Sequence, residues 1–384
     1  MSESAGSLEG FCTPRFEPLR QLLDELIDSG QDLGASLAVT VDGEFALDIW
    51  GGWADESRTR PWQRDTITCV FSTTKTMLAL GALALVERGQ LDLDAPVALY
   101  WPEFAAAGKS GILVRHILSH TSGLSGWEQP VTFEDTLHDW DKCTALLAAQ
   151  EPWWTPGTAS GYHSYTMGFL VGEVVRRVTG RRFGRFFAEE IAGPLGADFH
   201  IGLARSEFGR VSNVVPWPQL DVTGGVDPSS VAYKTMTNGP PKDLRVFWGD
   251  AWRQADLPAA NGHGNARSVA RLQSVVANGG EVGGVRLLSP HTIARIFEVQ
   301  ADGRDLVIGA PLKTGIGYGL PQRETLPFIP QRRICLWGGA GGSFVIIDVD
   351  RRMTLAYVMN KMVAALVPPN MTALATSFYS IVGG

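Results

Sequence analysis

Ser72-Thr-Thr-Lys75 places a hydroxyl and an amine three residues apart. If a helix begins near Ser72, residues at that spacing share a face, and the two groups can meet. Serine is a weak nucleophile and needs a base within hydrogen-bond reach. Lysine can be that base only where burial or a neighbouring cation keeps its amine neutral for part of the time. A second candidate group is Tyr162-His163-Ser164. A tyrosinate near a lysine ammonium is stabilised, so the Tyr162 phenol is expected to fall towards the range of a general base. The third is Trp337-Gly338-Gly339 followed by Ala340-Gly-Gly342, where glycine density lets the main chain approach a ligand closely. Free N–H groups there could supply half of an oxyanion hole, the other half being the N–H of Ser72. One such donor is worth about 3 kcal/mol of transition-state stabilisation.

Three kinds of element must hold these groups in place. Thr73 to Glu87 is apolar on all sides and ends at Arg88-Gly89, which reads as a buried helix with a basic last turn and a C-cap glycine. Packing would then fix the start of this helix, where the first-turn amides are free. Tyr165 to Val178, followed by Gly180, repeats the design. Near the amino end, Phe16 to Ile27 has helical spacing of apolar residues, and Ala35–Asp42 and Glu44–Trp50 are β-rich segments around the hairpin signal Asp42-Gly43. Gly342–Val349 and Met353–Met359 flank the polar turn Asp350-Arg351-Arg352, and a last helix is expected after Pro368-Pro369. Strands at both ends with helices between predict an α+β fold. An antiparallel sheet built from both termini (1–70 and 265–384) is flanked by helices and carries an inserted, mainly helical domain (71–264), with the site at their interface.

Composition narrows the function classes. The 384 residues are 45% hydrophobic and 19% charged, enough for a sizeable core. Lys+Arg 33 against Asp+Glu 40 leaves a net charge of −7, with no basic run, so nucleic acid is not an expected partner. The longest apolar run, Met77 to Val86, has ten residues. A bilayer span takes roughly 20, so no membrane association is expected. MSESAGSLEGFCTPRF lacks a basic segment followed by an apolar one, and Cys12, Cys69, Cys143 and Cys335 are widely separated without a CxxC pair. A cytoplasmic protein without a disulfide framework, metal site or cofactor is expected.

Taken together, these residues resemble the serine β-lactamase and penicillin-binding-protein superfamily, and within it the class C-like family VIII carboxylesterases. The order is that family's: SxxK, a Tyr-x-Ser/Asn motif ninety residues on, and a glycine-rich third box near the carboxyl end. His116-Ile-Leu-Ser-His-Thr-Ser-Gly-Leu124 also resembles a stretch typical of these proteins, and the likeness runs from about Leu33 to Lys361. It implies an acylated nucleophile at Ser72, a proton-transfer pair in Lys75 and Tyr162, and an oxyanion hole from the N–H groups of Ser72 and Ala340. Trp337, Gly338, Gly339 and Ser164 would border the substrate. Ser164 stands where family members often have Asn, removing a side-chain amide that would contact a substrate amide. Lys313-Thr-Gly315 matches a lactamase third box literally. In the family, however, that box opens a strand that turns back into another ending near Asn-Lys. Trp337 to Lys361 does this, so Lys313-Thr-Gly315 is read as coincidence. Trp337 in place of the lysine removes a cation for a β-lactam carboxylate and adds apolar surface.

The expected activity is therefore hydrolysis of small, uncharged carboxylic esters with short to medium acyl chains. The alternatives are β-lactam or D-alanyl peptide hydrolysis, acyl transfer to a small acceptor, and a non-catalytic binding or scaffold protein on the same fold. Other signals are set aside. There is no GxSxG elbow, and Gly108-Lys109-Ser110 lacks the first P-loop glycine. His116 and His120 lack the Glu of a zincin and are expected to be structural. His263 is expected in a polar loop, and Trp127, Trp153 and Trp154 in loops near the site.

Overall fold

Asp42 and Gly43 both have positive φ, 51° and 86°, in the computed structural model, which describes residues 6–217, 226–241 and 243–383. Two successive left-handed residues match the right-handed twist of a tight hairpin. They join β2 (Gly34–Val41) to β3 (Glu44–Gly52). Before them come the edge strand β1 (Glu9–Cys12) and helix α1 (Glu17–Asp28). The remaining strands are β4 (Ile67–Cys69), β5 (Val211–Ser212), β6 (His263–Gly264), β7 (Glu281–Val282), β8 (Val285–Arg286), β9 (Ala301–Arg304), β10 (Pro311–Thr314), β11 (Gly319–Leu320), β12 (Ile334–Gly338), β13 (Phe344–Asp348) and β14 (Met353–Met359).

Nine of these form one antiparallel sheet in the order β1-β3-β2-β14-β13-β12-β11-β10-β9. Strands from both ends of the chain meet where β2 pairs with β14, Leu37 opposite Tyr357. The α+β architecture is the one expected. The central strands are apolar without alternation because both faces are covered. Leu37, Phe344, Ile346, Leu355 and Tyr357 join the core under α1 and the carboxyl-terminal helix Pro369–Val382. Ala38, Val345, Ile347, Ala356 and Val358 join the other core, with helix Ala266–Ala277 and α2 (Thr74–Glu87). Strand parity then puts Trp337 on the face of Cys335, the side towards α2.

α2 is buried from Thr74 to Leu85, which accounts for its uniformly apolar sequence. It has no room for a side chain at Gly81, where an added Cβ would lie 2.8 Å from the Phe183 ring. A separate small sheet, β5-β4-β6, delivers the chain to the start of α2. The helices Val114–Leu118, Trp140–Ala149 and Thr166–Thr179 follow α2 in the chain and pack in the same core. Gly180, at φ 70°, ends the last of them as a C-cap.

The α1/carboxyl-terminal side contains a buried acid. Asp32, 1% exposed, accepts hydrogen bonds from Tyr357 Oη at 2.7 Å and Asn370 Nδ2 at 2.8 Å. Burial outweighs these bonds and the nearby Lys361 charge and pushes its pKa up to about 6. A raised carboxyl binds its proton more tightly in the folded state. Its stabilising contribution is therefore full below its ordinary value of 3.8 and is lost as pH rises through about 6. Asp32→Asn should gain stability relative to the parent by about 3 kcal/mol between roughly pH 4 and pH 8. Urea unfolding at both ends of that range checks the difference.

Candidate active site

The turn before α2 is held in an unfavourable backbone state. Phe71 has φ 45°, a rare value for a bulky residue and worth about 1–3 kcal/mol of strain. Neighbouring bonds fix it: Val70 N–H donates to Gly262 O at 2.9 Å, Thr74 Oγ1 donates to Phe71 O, and Gly262 N–H donates to Thr74 Oγ1 at 2.9 Å. The 3-10 turn Phe71–Thr73 runs directly into α2, leaving Ser72 half-buried. Its N–H lies in the first turn, where helical amides have no partner within the helix.

Lys75, one turn on, is 1% exposed. Its Nζ donates to Ser164 O at 2.7 Å and Ala259 O at 2.9 Å, and lies 3.2 Å from Ser72 Oγ. Among the described residues no carboxylate contacts it, and burial holds the amine far below the ordinary lysine value of 10.5. A neutral amine has two N–H bonds and one lone pair. With both N–H bonds given to the carbonyls, the lone pair faces the serine hydroxyl.

Tyr162 Oη is hydrogen-bonded to Ser72 Oγ, and Lys75 Nζ lies 4.8 Å from the centre of its ring. The expected fall in the phenol's pKa does not occur. Burial pushes it up to about 12, against the opposing hydrogen bond of Ser72. The reason is reciprocal: the burial that raises the phenol also lowers the lysine, and a disfavoured ammonium stabilises a phenolate little. Tyr162 N–H donates to Asp305 Oδ1 at 3.0 Å, which anchors the tyrosine loop from the β9–β10 turn.

The glycine-rich segment meets the nucleophile turn from the other side. A Cβ on Gly339 would lie 2.1 Å from Val70 O, so only glycine permits this approach. Ala340 is exposed, and its N–H donates to no group among the described residues. Gly338 is also exposed, while Trp337 is buried with its ring 5.9 Å from that of Tyr162 and 5.2 Å from that of His120. Ser164 contributes its carbonyl to Lys75 rather than a side-chain contact. Lys313 lies on β10, two strands from β12, paired with Asp302 at 3.2 Å.

Sequence reasoning undervalued several groups. His120, at φ 64°, lies against both Tyr162 and Trp337; its Nδ1 accepts from His163 N–H at 3.1 Å. His163 is bonded to Ser122 Oγ and Gly161 O, and burial holds both histidines below their ordinary value, hence neutral. His120 packs against the Tyr162 ring and His163 against His120, contacts that no local pattern announces. His263 is not in a polar loop. It is a buried residue of β6 opposite Cys69, because His263-Gly264 pairs as a short strand there. Trp127 is a core residue, while Trp154 stacks edge-on against His163.

No helix among the described residues is long and apolar enough to cross a membrane. The family model for beta-lactamase matches residues 19–375. Esterase/beta-lactamase LipL of Mycobacterium tuberculosis is 33% identical over 375 residues, covering 93% of this chain and 84% of that protein. The solved structure of a family VIII carboxylesterase superposes with a TM-score of 0.90 at 38% identity, covering 98% of this chain and 100% of that one. A penicillin-binding protein homolog from Caulobacter crescentus gives the same TM-score and the same coverage at 36% identity.

Proposed function

The chain belongs to the beta-lactamase family, with its α+β β-lactamase/transpeptidase-like fold, and from that premise we propose that it is a serine hydrolase of carboxylic esters. The observation that carries this reading is that Ser72 Oγ touches both the Lys75 amine and the Tyr162 phenol. Neutral Lys75 takes the proton of Ser72 as the hydroxyl attacks the ester carbonyl. The N–H groups of Ser72 and Ala340 receive the developing oxyanion. Tyr162, protonated at neutral pH, passes a proton to the leaving alcohol and regains one from the Lys75 ammonium formed in the attack; water then attacks the acyl-enzyme by the reverse route. The site lies between the proposed sheet domain (1–70 and 265–384) and the helical domain (71–264).

Uncharged esters with short to medium acyl chains fit this site best. Trp337 occupies the place of a carboxylate-binding lysine, and Lys313 is committed to Asp302. The proton transfers assigned to Ser72, Lys75 and Tyr162 require no cofactor, and the location proposed is cytoplasmic. Since a relative carries both names, esterase and beta-lactamase, incidental cephalosporin hydrolysis is the second reading.

The experiment has two parts. Turnover of an aryl butyrate should far exceed that of a chromogenic cephalosporin; the reverse ranking overturns the ester assignment. A serine-directed phosphonate should add one adduct mass to the protein and none to Ser72→Ala. An undiminished adduct on Ser72→Ala removes Ser72 from the mechanism.

A further inference from the structure

We infer that Ser343 is a positioning residue that sets the spacing between the two oxyanion donors, a role resting on the reading of Ser72 and Ala340 above. Ser343 is 2% exposed and immediately precedes the return strand β13, after the glycine-rich turn. Its Oγ lies 2.8 Å from Val70 O and 3.0 Å from Thr73 Oγ1. A carbonyl can only accept, so Ser343 donates to Val70 O and takes the Thr73 hydroxyl proton in turn. On the same residue, the carbonyl receives Gly339 N–H at 2.7 Å. One residue thus holds Val70 and Thr73, on either side of the nucleophile turn, and Gly339, immediately before Ala340. The two N–H groups sit on separate stretches of chain joined here through the Ser343 hydroxyl, with a further 3.3 Å contact from Thr73 Oγ1 to Ser343 O.

The bridge touches neither Lys75 nor Tyr162, so its loss should affect transition-state binding and leave the proton-transfer chemistry unchanged. An error of about 1 Å in such an arrangement costs up to roughly 100-fold. In the full chain, Ser343→Ala should lower kcat for an aryl ester by about 10- to 100-fold. KM should stay within about twofold, and the shape of the pH–rate profile should be retained. The inhibition constant of a trifluoromethyl ketone, which forms a tetrahedral adduct, should rise by the same factor as kcat falls. Thr73→Val breaks the bridge from the other side and should reproduce the pattern, whereas Thr73→Ser should restore it.

A folded Ser343→Ala with kcat within about threefold of the parent, or with unchanged ketone affinity, overturns the inference. If that variant does not fold, the Thr73→Val and Thr73→Ser pair decides by the same readouts. Phosphonate labelling of the parent separates the two levels. A parent unlabelled at Ser72 removes the esterase reading itself. A labelled parent with an unaffected bridge variant removes the role of Ser343 alone.

Discussion

Replacing Lys75 by methionine is expected to lower kcat by about 10⁴-fold, the upper end of what a positioned base contributes. Methionine keeps the unbranched stem in the buried channel but has no lone pair basic enough to take the serine proton. Two carbonyls, Ser164 O and Ala259 O, lose their donor, at about 1–3 kcal/mol each. Removing an amine buried without a counter-ion offsets part of that cost. Lys75→Arg is the sharper variant, because a guanidinium stays charged and can never accept the proton. It should be as inactive as the methionine variant.

The pH dependence follows from the same burial. Activity needs the neutral amine, and the folded protein lowers the lysine pKa far below 10.5. The acid limb of kcat/KM should therefore lie well to the acid side of an ordinary lysine, and it should vanish in Lys75→Met. Active Lys75→Arg would transfer the role of base to another group.

Residues that make their own local geometry were legible in the sequence. Asp42-Gly43 predicts its hairpin because both positions need φ above zero, and the structure has them at 51° and 86°. The uniformly apolar stretch after Ser72 predicts a buried helix, and α2 is one. The strand pattern of Trp337 to Lys361 was legible too: β12, β13 and β14 form the expected meander, while Lys313 lies on β10. Features created by distant chain segments were not legible. Phe71 has no intrinsic preference for φ 45°; bonds from Gly262 and Thr74 impose it. Asp305 reaches Tyr162 from 143 residues away and Ser343 reaches Val70 from 273, with no motif to mark either. The pKa error at Tyr162 has the same origin: the sequence shows a lysine and a tyrosine but not how dry the lysine is.

Tyr162→Phe separates the two parts a phenol can play beside Ser72. The variant removes the hydroxyl bonded to Ser72 Oγ and leaves Lys75 Nζ at 3.2 Å to accept the serine proton. If the phenol returns a proton to the leaving alcohol, the loss should scale with how badly the leaving group needs one. Alkyl esters expel a strongly basic alkoxide and should lose about 10²–10⁴-fold in kcat/KM. Nitrophenyl esters expel a stable phenolate without protonation, so their acylation should fall by about tenfold or less. The alkaline limb for alkyl esters should also change. In the parent it is set by a phenol at about 12, so the fall lies at high pH, and in the variant that limb should be absent. Parallel rate–pH profiles for an ethyl and a nitrophenyl ester of one acid test all three expectations. Equal losses on both esters would mean that Tyr162 only orients the Ser72 hydroxyl. The proton for the leaving group would then have to come from the Lys75 ammonium formed during attack, which lies 3.2 Å from the same oxygen.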